Sequence, residues 1–275
     1  MHTSLIQEPA RSSPFDNIAE QYDATFTSST IGGLQRDAVW EELKKSFHPG
    51  DRILDIGCGT GVDACFLAER GIEVVACDSS SRMISVAQRR IADLPQSAAS
   101  VQLHLLPAEE ISNLGDGGRF DGAFSNFGAM NCVADIAKLA SDLARLLKPG
   151  ASVLLCFMGP LCLWETVWYL LHGKFAAAFR RFHPDGVVAR LSGGSAVHVR
   201  YPSVSSIRNL FGPEFRLKSI RGIGVAVPPS YVDAWASRRP RVVRLAANAD
   251  RILGRCPGIR MLADHVLLRF ERMRT

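Results

Sequence analysis

Two aspartates and a run of glycines are the residues whose types and spacing suggest chemistry. The stretch Arg52-Ile-Leu-Asp-Ile-Gly-Cys-Gly-Thr-Gly-Val62 carries an apolar run into glycines at alternate positions, Gly57, Gly59 and Gly61. Glycine lacks a Cβ, so main chain at such a turn can come close to a ligand. Asp55 stands two residues before the first glycine, and Asp78 follows the last by seventeen residues, after a second apolar run at 74–77. A carboxylate at that second position can accept hydrogen bonds from both hydroxyls of a ribose. The pattern reads as a nucleoside site, with a ligand-free tight turn as the plain alternative. A nicotinamide dinucleotide site uses the spacing G-x-G-x-x-G, but counted from Gly57 its last glycine would fall on Val62.

The elements that must position these residues alternate along the chain. Strand-like runs at 52–56, 73–77, 101–106, 120–125 and 151–157 are separated by helical patterns at 62–70, 82–92 and 135–147. The last pattern is clear, with Ile136, Leu139, Ala140, Leu143, Leu146 and Leu147 on one face and Lys148-Pro149-Gly150 as the stop. An earlier helix carries Val39, Leu43 and Phe47 and ends at His48-Pro49-Gly50. This βα rhythm predicts an α/β fold with a doubly wound, mostly parallel sheet covered on both faces. After Gly159 the rhythm breaks. Residues 161–182 read as one or two aromatic-rich helices, followed by a loop around Gly193-Gly194, a cap inserted over the sheet. Runs at 215–222 and 265–271 predict strands of a C-terminal antiparallel hairpin, separated by a helical stretch near 242–253.

The expected organisation is a leader at 1–14 and one domain at 15–275. Within it, 15–158 forms the core, 159–214 the cap, and 215–275 the last strands with a second helical insertion at about 226–262. The 275 residues are 47% hydrophobic and 21% charged, a globular composition. The first residues lack the pattern of a secretory signal, and no run of apolar residues is long enough for a membrane span. Seven scattered cysteines without a C-x-x-C pair point to neither disulfides nor a metal site, which fits a reducing cytoplasm. The net charge of +5 divides unevenly: residues 1–179 hold 14 Lys and Arg against 21 Asp and Glu, residues 180–275 hold 18 against 6. A basic last third suits either an anionic partner or a solvated surface.

The stretch Ile53–Gly61 (ILDIGCGTG), with the acid at the end of the second strand, resembles the class I S-adenosylmethionine-dependent methyltransferases. The opening Phe15-Asp-Asn-Ile-Ala-Glu-Gln-Tyr22-Asp23 is similar to the F-D-x-x-A-x-x-Y-D start of one branch, where a helix closes over the cofactor. The resemblance covers 15–157 and implies a seven-stranded sheet that binds S-adenosylmethionine and releases S-adenosylhomocysteine. It assigns cofactor contacts to Tyr22, Asp55, Gly57, Cys58, Gly59, Gly61, Asp78, Ser79 and Met83. Ala108 and Glu109 follow, although Pro107 stands where relatives carry an aspartate. Asn126 and Phe127, at the end of the fourth strand, complete the set.

A sulfonium methyl group is already activated, so the protein's task is alignment and exclusion of water, aided by a general base if the acceptor is a hydroxyl or carbon acid. Tyr22, His183 and His198 are the candidates for that base, with His172 behind them; His2, His48 and His104 fall in the leader, a helix end and a strand. Phe127, Trp164, Trp168 and Tyr231 are expected to line an apolar acceptor chamber, although packing of the cap alone would also use such residues. A small, largely apolar acceptor is therefore expected, a secondary metabolite or an isoprenoid or quinone-like precursor. The alternatives are a nucleic-acid methyltransferase using the basic last third and a non-catalytic cofactor-binding protein. No metal is expected, and a homodimer is left open.

Overall fold

The computed structural model describes residues 12–115 and 118–274. Most of the expected leader therefore lies outside the described residues. The chain enters through α1 (Ala19–Tyr22), flanked by a 3-10 turn and a π turn, and continues into α2 (Thr30–Ser46). Ser29 starts α2 by accepting a hydrogen bond from Gly32 N–H at 2.9 Å. The alternation then runs β1 (Arg52–Ile56), α3 (Val62–Ala68), β2 (Glu73–Asp78), α4 (Ser81–Ala92), β3 (Val101–Leu105), β4 (Phe120–Ser125), α5 (Ala129–Cys132), α6 (Ile136–Leu146) and β5 (Leu147–Phe157). Helices α4 and α6 begin at Ser80 and Asp135, whose side chains accept from Met83 and Lys138 N–H.

The cap follows as α7 (Leu163–Leu171), α8 (Phe175–Ala178), a 3-10 turn at Arg180–Phe182, and a hairpin of β6 (Val187–Arg190) and β7 (Ala196–Val199). Then come α9 (Val204–Phe211), β8 (Phe215–Ile223), α10 (Asp233–Ala236), α11 (Pro240–Leu253) and β9 (His265–Arg272). The main sheet has seven strands in the order β3-β2-β1-β4-β5-β9-β8. Strands β1 to β5 are parallel, while β9 inserts antiparallel between β5 and β8. The doubly wound architecture and terminal antiparallel pair agree with the sequence pattern.

Alternation along the strands distributes the core to both faces. Leu54 and Ile56 pack with Leu139 and Leu143 of α6 and with Phe211 and Phe270. Ile53, Val74 and Phe124 pack on the opposite face with Val39 and Leu43 of α2 and Phe66 of α3. Each large apolar side chain so buried stabilises the fold by about 1.5 to 3 kcal/mol.

Two elements depart from the sequence reading. The loop expected around Gly193-Gly194 is the turn of the β6–β7 hairpin. Residues 204–211, placed in the cap by sequence, form α9, whose Val204, Ile207 and Phe211 belong to the main core.

Candidate active site

The glycine loop connects β1 to α3 at the carboxyl edge of the sheet, where open α/β sheets bind ligands. Gly57, Gly59 and Gly61 all have positive φ, at 72°, 53° and 76°. They differ in what surrounds them. A Cβ on Gly57 would lie 2.4 Å from the Ala129 methyl, and one on Gly61 2.9 Å from the Ala87 methyl, so these two permit packing of α5 and α4. A Cβ on Gly59 would meet nothing within 4 Å. Gly59 thus faces open space, the space a ligand can fill.

Asp78 is bonded to Gly59 itself, and Asp55 lies buried in β1, which leads into the loop. Asp55 is buried, and its Oδ2 has no hydrogen-bond partner. Burial, with Asp63 and Asp78 nearby, holds its carboxyl well above the ordinary value. A cationic ligand group would satisfy this oxygen and favour the charged form. Asp78 accepts from Gly59 N–H through Oδ2 and from Ser80 N–H through Oδ1, each at 2.8 Å. Those bonds leave each oxygen a further lone pair. Burial raises the Asp78 pKa against these same main-chain bonds. An orphaned buried carboxylate oxygen, a bare glycine and a ribose-competent acid fit the cofactor of the sequence resemblance.

The N-terminal segment straps this region. Asp16 Oδ1 accepts from Ser80 Oγ at 2.6 Å, and Asp23 accepts from Thr60 Oγ1 at 2.7 Å and from Arg90 Nη2. Glu20 pairs with Arg89 at 2.6 Å. Together these contacts hold α1 against α3 and α4 and bring Tyr22 into the interior. Burial, reinforced by Asp63, Asp78 and Asp23 and opposed by Arg36, pushes the Tyr22 phenol above its usual value.

Asp63, in the first turn of α3, is a hub that sequence reasoning missed. It accepts from Trp40 Nε1 and Arg36 Nη1, both at 2.7 Å, and from Asn126 Nδ2 at 3.0 Å. Asn126 Oδ1 in turn accepts from Phe127 N–H at 3.0 Å. Phe127 has φ 44°, the one positive φ among the described non-glycine residues. Such backbone is sterically costly and persists where the surroundings enforce it. Its ring meets Phe26 edge-on at 5.0 Å, the Arg36 guanidinium at 4.9 Å, and His265 edge-on at 5.4 Å.

His265 is the second omission. It begins β9 and is buried, and pairing of Phe157 with Val266 sets it at the same carboxyl edge as Phe127. Its Nδ1 lies 3.4 Å from Asp264 Oδ2, within ion-pair range but misaligned for a hydrogen bond. Asp264 also accepts from Arg181 at 2.8 Å and Gln35 at 3.3 Å, and Arg181 bonds Glu165 at 2.7 Å. Burial alone would raise the Asp264 pKa; His265 and Arg181 outweigh it and hold the carboxyl well below the usual range. Nothing local in the sequence marks residue 265, because only insertion of β9 beside β5 brings it to the site.

The remaining sequence candidates fall in different places. Met83 is buried in the first turn of α4 and Cys58 is half-buried in the loop, while Ser79 is exposed. Ala108 starts a 3-10 turn beside β3. The Glu109 carboxylate turns away to accept from Ala134 N–H at 2.9 Å. His183 and His198 are both exposed, His183 after the Arg180–Phe182 turn and His198 on β7, and the structure does not bring them to Phe127. Trp164 and Trp168 on α7 are partly exposed, at 38% and 40%, with Trp164 donating to Val225 O at 3.0 Å. The buried residue of that helix is Glu165. The Tyr231 side chain lies outside the described residues.

Residues 53–150 match the family described as "Methyltransferase domain". A demethylmenaquinone methyltransferase of Clavibacter sepedonicus is 32% identical over 160 residues, which is 57% of this chain and 61% of that protein. One from Symbiobacterium thermophilum is 36% identical over 140 residues, 50% of this chain and 54% of that protein. The chain thus spans less than two thirds of the length of these relatives. In fold, it resembles the CcbJ methyltransferase from Streptomyces caelestis, with a TM-score of 0.61 at 14% identity, covering 96% of this chain and 99% of that one. Geranyl diphosphate C-methyltransferase from Streptomyces coelicolor A3(2), solved with S-adenosyl-L-homocysteine, gives 0.53 at 15% identity, covering 86% and 76%. Residues 53–150 thus match the methyltransferase-domain family, and the seven-stranded sheet around them has the fold of solved methyltransferases.

Proposed function

We propose that the chain is an S-adenosylmethionine-dependent methyltransferase acting on a small, largely apolar acceptor of the quinone or isoprenoid type. The observation that carries the reading is the open space over Gly59, whose N–H donates to Asp78, together with the orphaned Asp55 oxygen in the preceding strand. Asp55 would take the methionine ammonium, Asp78 the ribose hydroxyls, and Met83 an apolar face of the base. Bound there, S-adenosylmethionine supplies an activated methyl group. The chain's own residues then align the acceptor and exclude water. Phe127, Phe26 and Tyr22 form an aromatic wall against which a flat apolar acceptor can lie. His265 is assigned as the base that takes the acceptor's proton, and Asp264 supports the imidazolium that forms. The names of the relatives, demethylmenaquinone methyltransferases, favour a quinone nucleus.

Two measurements test this reading. Calorimetric titration with S-adenosylhomocysteine should show saturable binding, and a labelled methyl group should pass to a short-chain demethylated naphthoquinone in its reduced form. Absence of binding at millimolar cofactor would remove the site; binding without transfer would remove the acceptor.

A further inference from the structure

Outside the site, the largest unexplained feature is exposed apolar surface interleaved with arginine. Helix α11 divides into three sectors. Val243, Ala246 and Ala247 pack toward α2. Val242, Leu245 and Ile252 recur at helical spacing on a second sector and are exposed, Leu245 and Ile252 at 69% each. Arg241, Arg244 and Arg251 fill the third, and Arg255 follows just beyond the helix; Arg251 and Arg255 pair with Glu41 and Glu42 of α2 at 3.2 and 3.6 Å. Residues 233–255 hold six arginines and two aspartates. Both acids are engaged inward, Asp233 by Ile31 N–H at 2.8 Å and Asp250 by the N–H groups of Ala226 and Val227. Trp235 is exposed beneath Arg239, whose guanidinium lies 5.0 Å from its ring centre. Leu171 and Phe175 of the cap, exposed at 78% and 65%, flank Lys174.

These two regions share a location. Helices α7 and α8 follow β5 and helices α10 and α11 follow β8, so both leave the carboxyl edge of the sheet. Both also hold the 225–227 segment, through Trp164 on one side and Asp250 on the other. Among the described residues no helix is long and apolar enough to cross a membrane. A helix with one apolar exposed stripe beside a stripe of arginines instead suits the plane of a lipid interface.

We propose that α11 and the α7–α8 cap form a docking surface for an anionic phospholipid bilayer, placing the mouth of the site where an apolar acceptor dissolves. Exposed apolar residues alone would fit many partners; the six arginines around them, of which Arg251 and Arg255 also pair with Glu41 and Glu42 of α2, leave a positive excess that selects a negatively charged surface. The purpose of this surface rests on the apolar-acceptor reading, whereas its measurement needs neither cofactor nor acceptor.

The test is co-sedimentation of the full chain with phosphatidylcholine vesicles with and without phosphatidylglycerol. Binding should require phosphatidylglycerol and weaken as salt rises. Leu245→Glu with Ile252→Glu, and separately Arg241→Glu with Arg244→Glu, should each weaken it by roughly tenfold or more. Both pairs are exposed, and unchanged thermal melting and S-adenosylhomocysteine binding establish that the variants fold. Equal binding to both vesicle types, no binding by the wild type, or indifference to both variant pairs would overturn the proposal. So would a wild-type dimer dissociated by Leu245→Glu with Ile252→Glu, or retention of an RNA oligonucleotide without retention of vesicles. Failure here with cofactor binding intact would leave the methyltransferase reading untouched.

Discussion

Gly59→Ala separates ligand space from packing space within one loop. The added methyl meets no protein atom within 4 Å, so its cost to the fold is confined to the left-handed backbone at φ 53°. That cost is about 1 to 2 kcal/mol, lowering Tm by roughly 2 to 8 °C in a chain of this size. Gly57→Ala carries the same backbone cost plus an overlap at 2.4 Å with the Ala129 methyl, where carbon atoms normally stay near 3.5 to 4 Å. Overpacking adds about 1 to 3 kcal/mol, so Gly57→Ala should be the less stable variant. Binding is expected to be lost at Gly59 at little cost to stability. A cofactor resting on this peptide must shift away from the methyl and loosen its charge-assisted contact with Asp78, worth about 1.5 to 3 kcal/mol, or roughly 10- to 150-fold in affinity. Differential scanning calorimetry and titration with S-adenosylhomocysteine read the two effects separately. A folded Gly59→Ala protein that binds with wild-type affinity would refute the argument.

Three further outcomes follow from the buried titrating groups. Because burial raises the Asp55 pKa, binding of an ammonium group beside it should be linked to proton release and strengthen as pH rises through that pKa; titrations in buffers of different ionisation enthalpy measure this, and Asp55→Asn should abolish it. By the same raised value, the Asp55 contribution to stability of the free protein is full at low pH and is lost as pH rises. Asp264 acts in the opposite sense: its depressed pKa stabilises the fold above the ordinary carboxylate range, and that contribution fades as pH falls. Arg181→Leu leaves Glu165 and Asp264 buried without their cation and should cost about 3 to 5 kcal/mol, a Tm loss of roughly 10 °C; an unchanged melting curve would show the network to be solvated. His265→Gln should slow methyl transfer by about 10² to 10⁴ and leave S-adenosylhomocysteine affinity unchanged, whereas an unaltered rate would strike His265 from the mechanism.

The glycine loop could be read in advance because its requirement is local: bare main chain between a buried strand and a helix, with an acid at each flank. Helix α6 was equally plain, since its apolar residues repeat without interruption and Asp135 and Pro149 bracket it. The Asp63 hub could not be read this way, because Trp40, Arg36 and Asn126 come from α2 and the end of β4. A lone acid in a helix's first turn signals only a favourable dipole. The β6–β7 hairpin was hidden for a different reason. Val188 and Ala196 face solvent, and the segment is held mainly by main-chain contacts from Arg200 to Asn131 and from Gly193 to Asn17. In the cap the hidden feature is a charge pair: α7 buries Glu165 against Arg181, which the aromatic pattern of 161–182 does not mark.

The position of β9 also orders how the molecule is made. Strand β8 touches the rest of the sheet only through β9, which is synthesised after it. While the chain is emerging, the first five strands can pair with one another, but β8 has no neighbouring strand until residues 265–272 arrive. The strand that carries His265 therefore comes last, after the glycine loop and both of its flanking acids have been made.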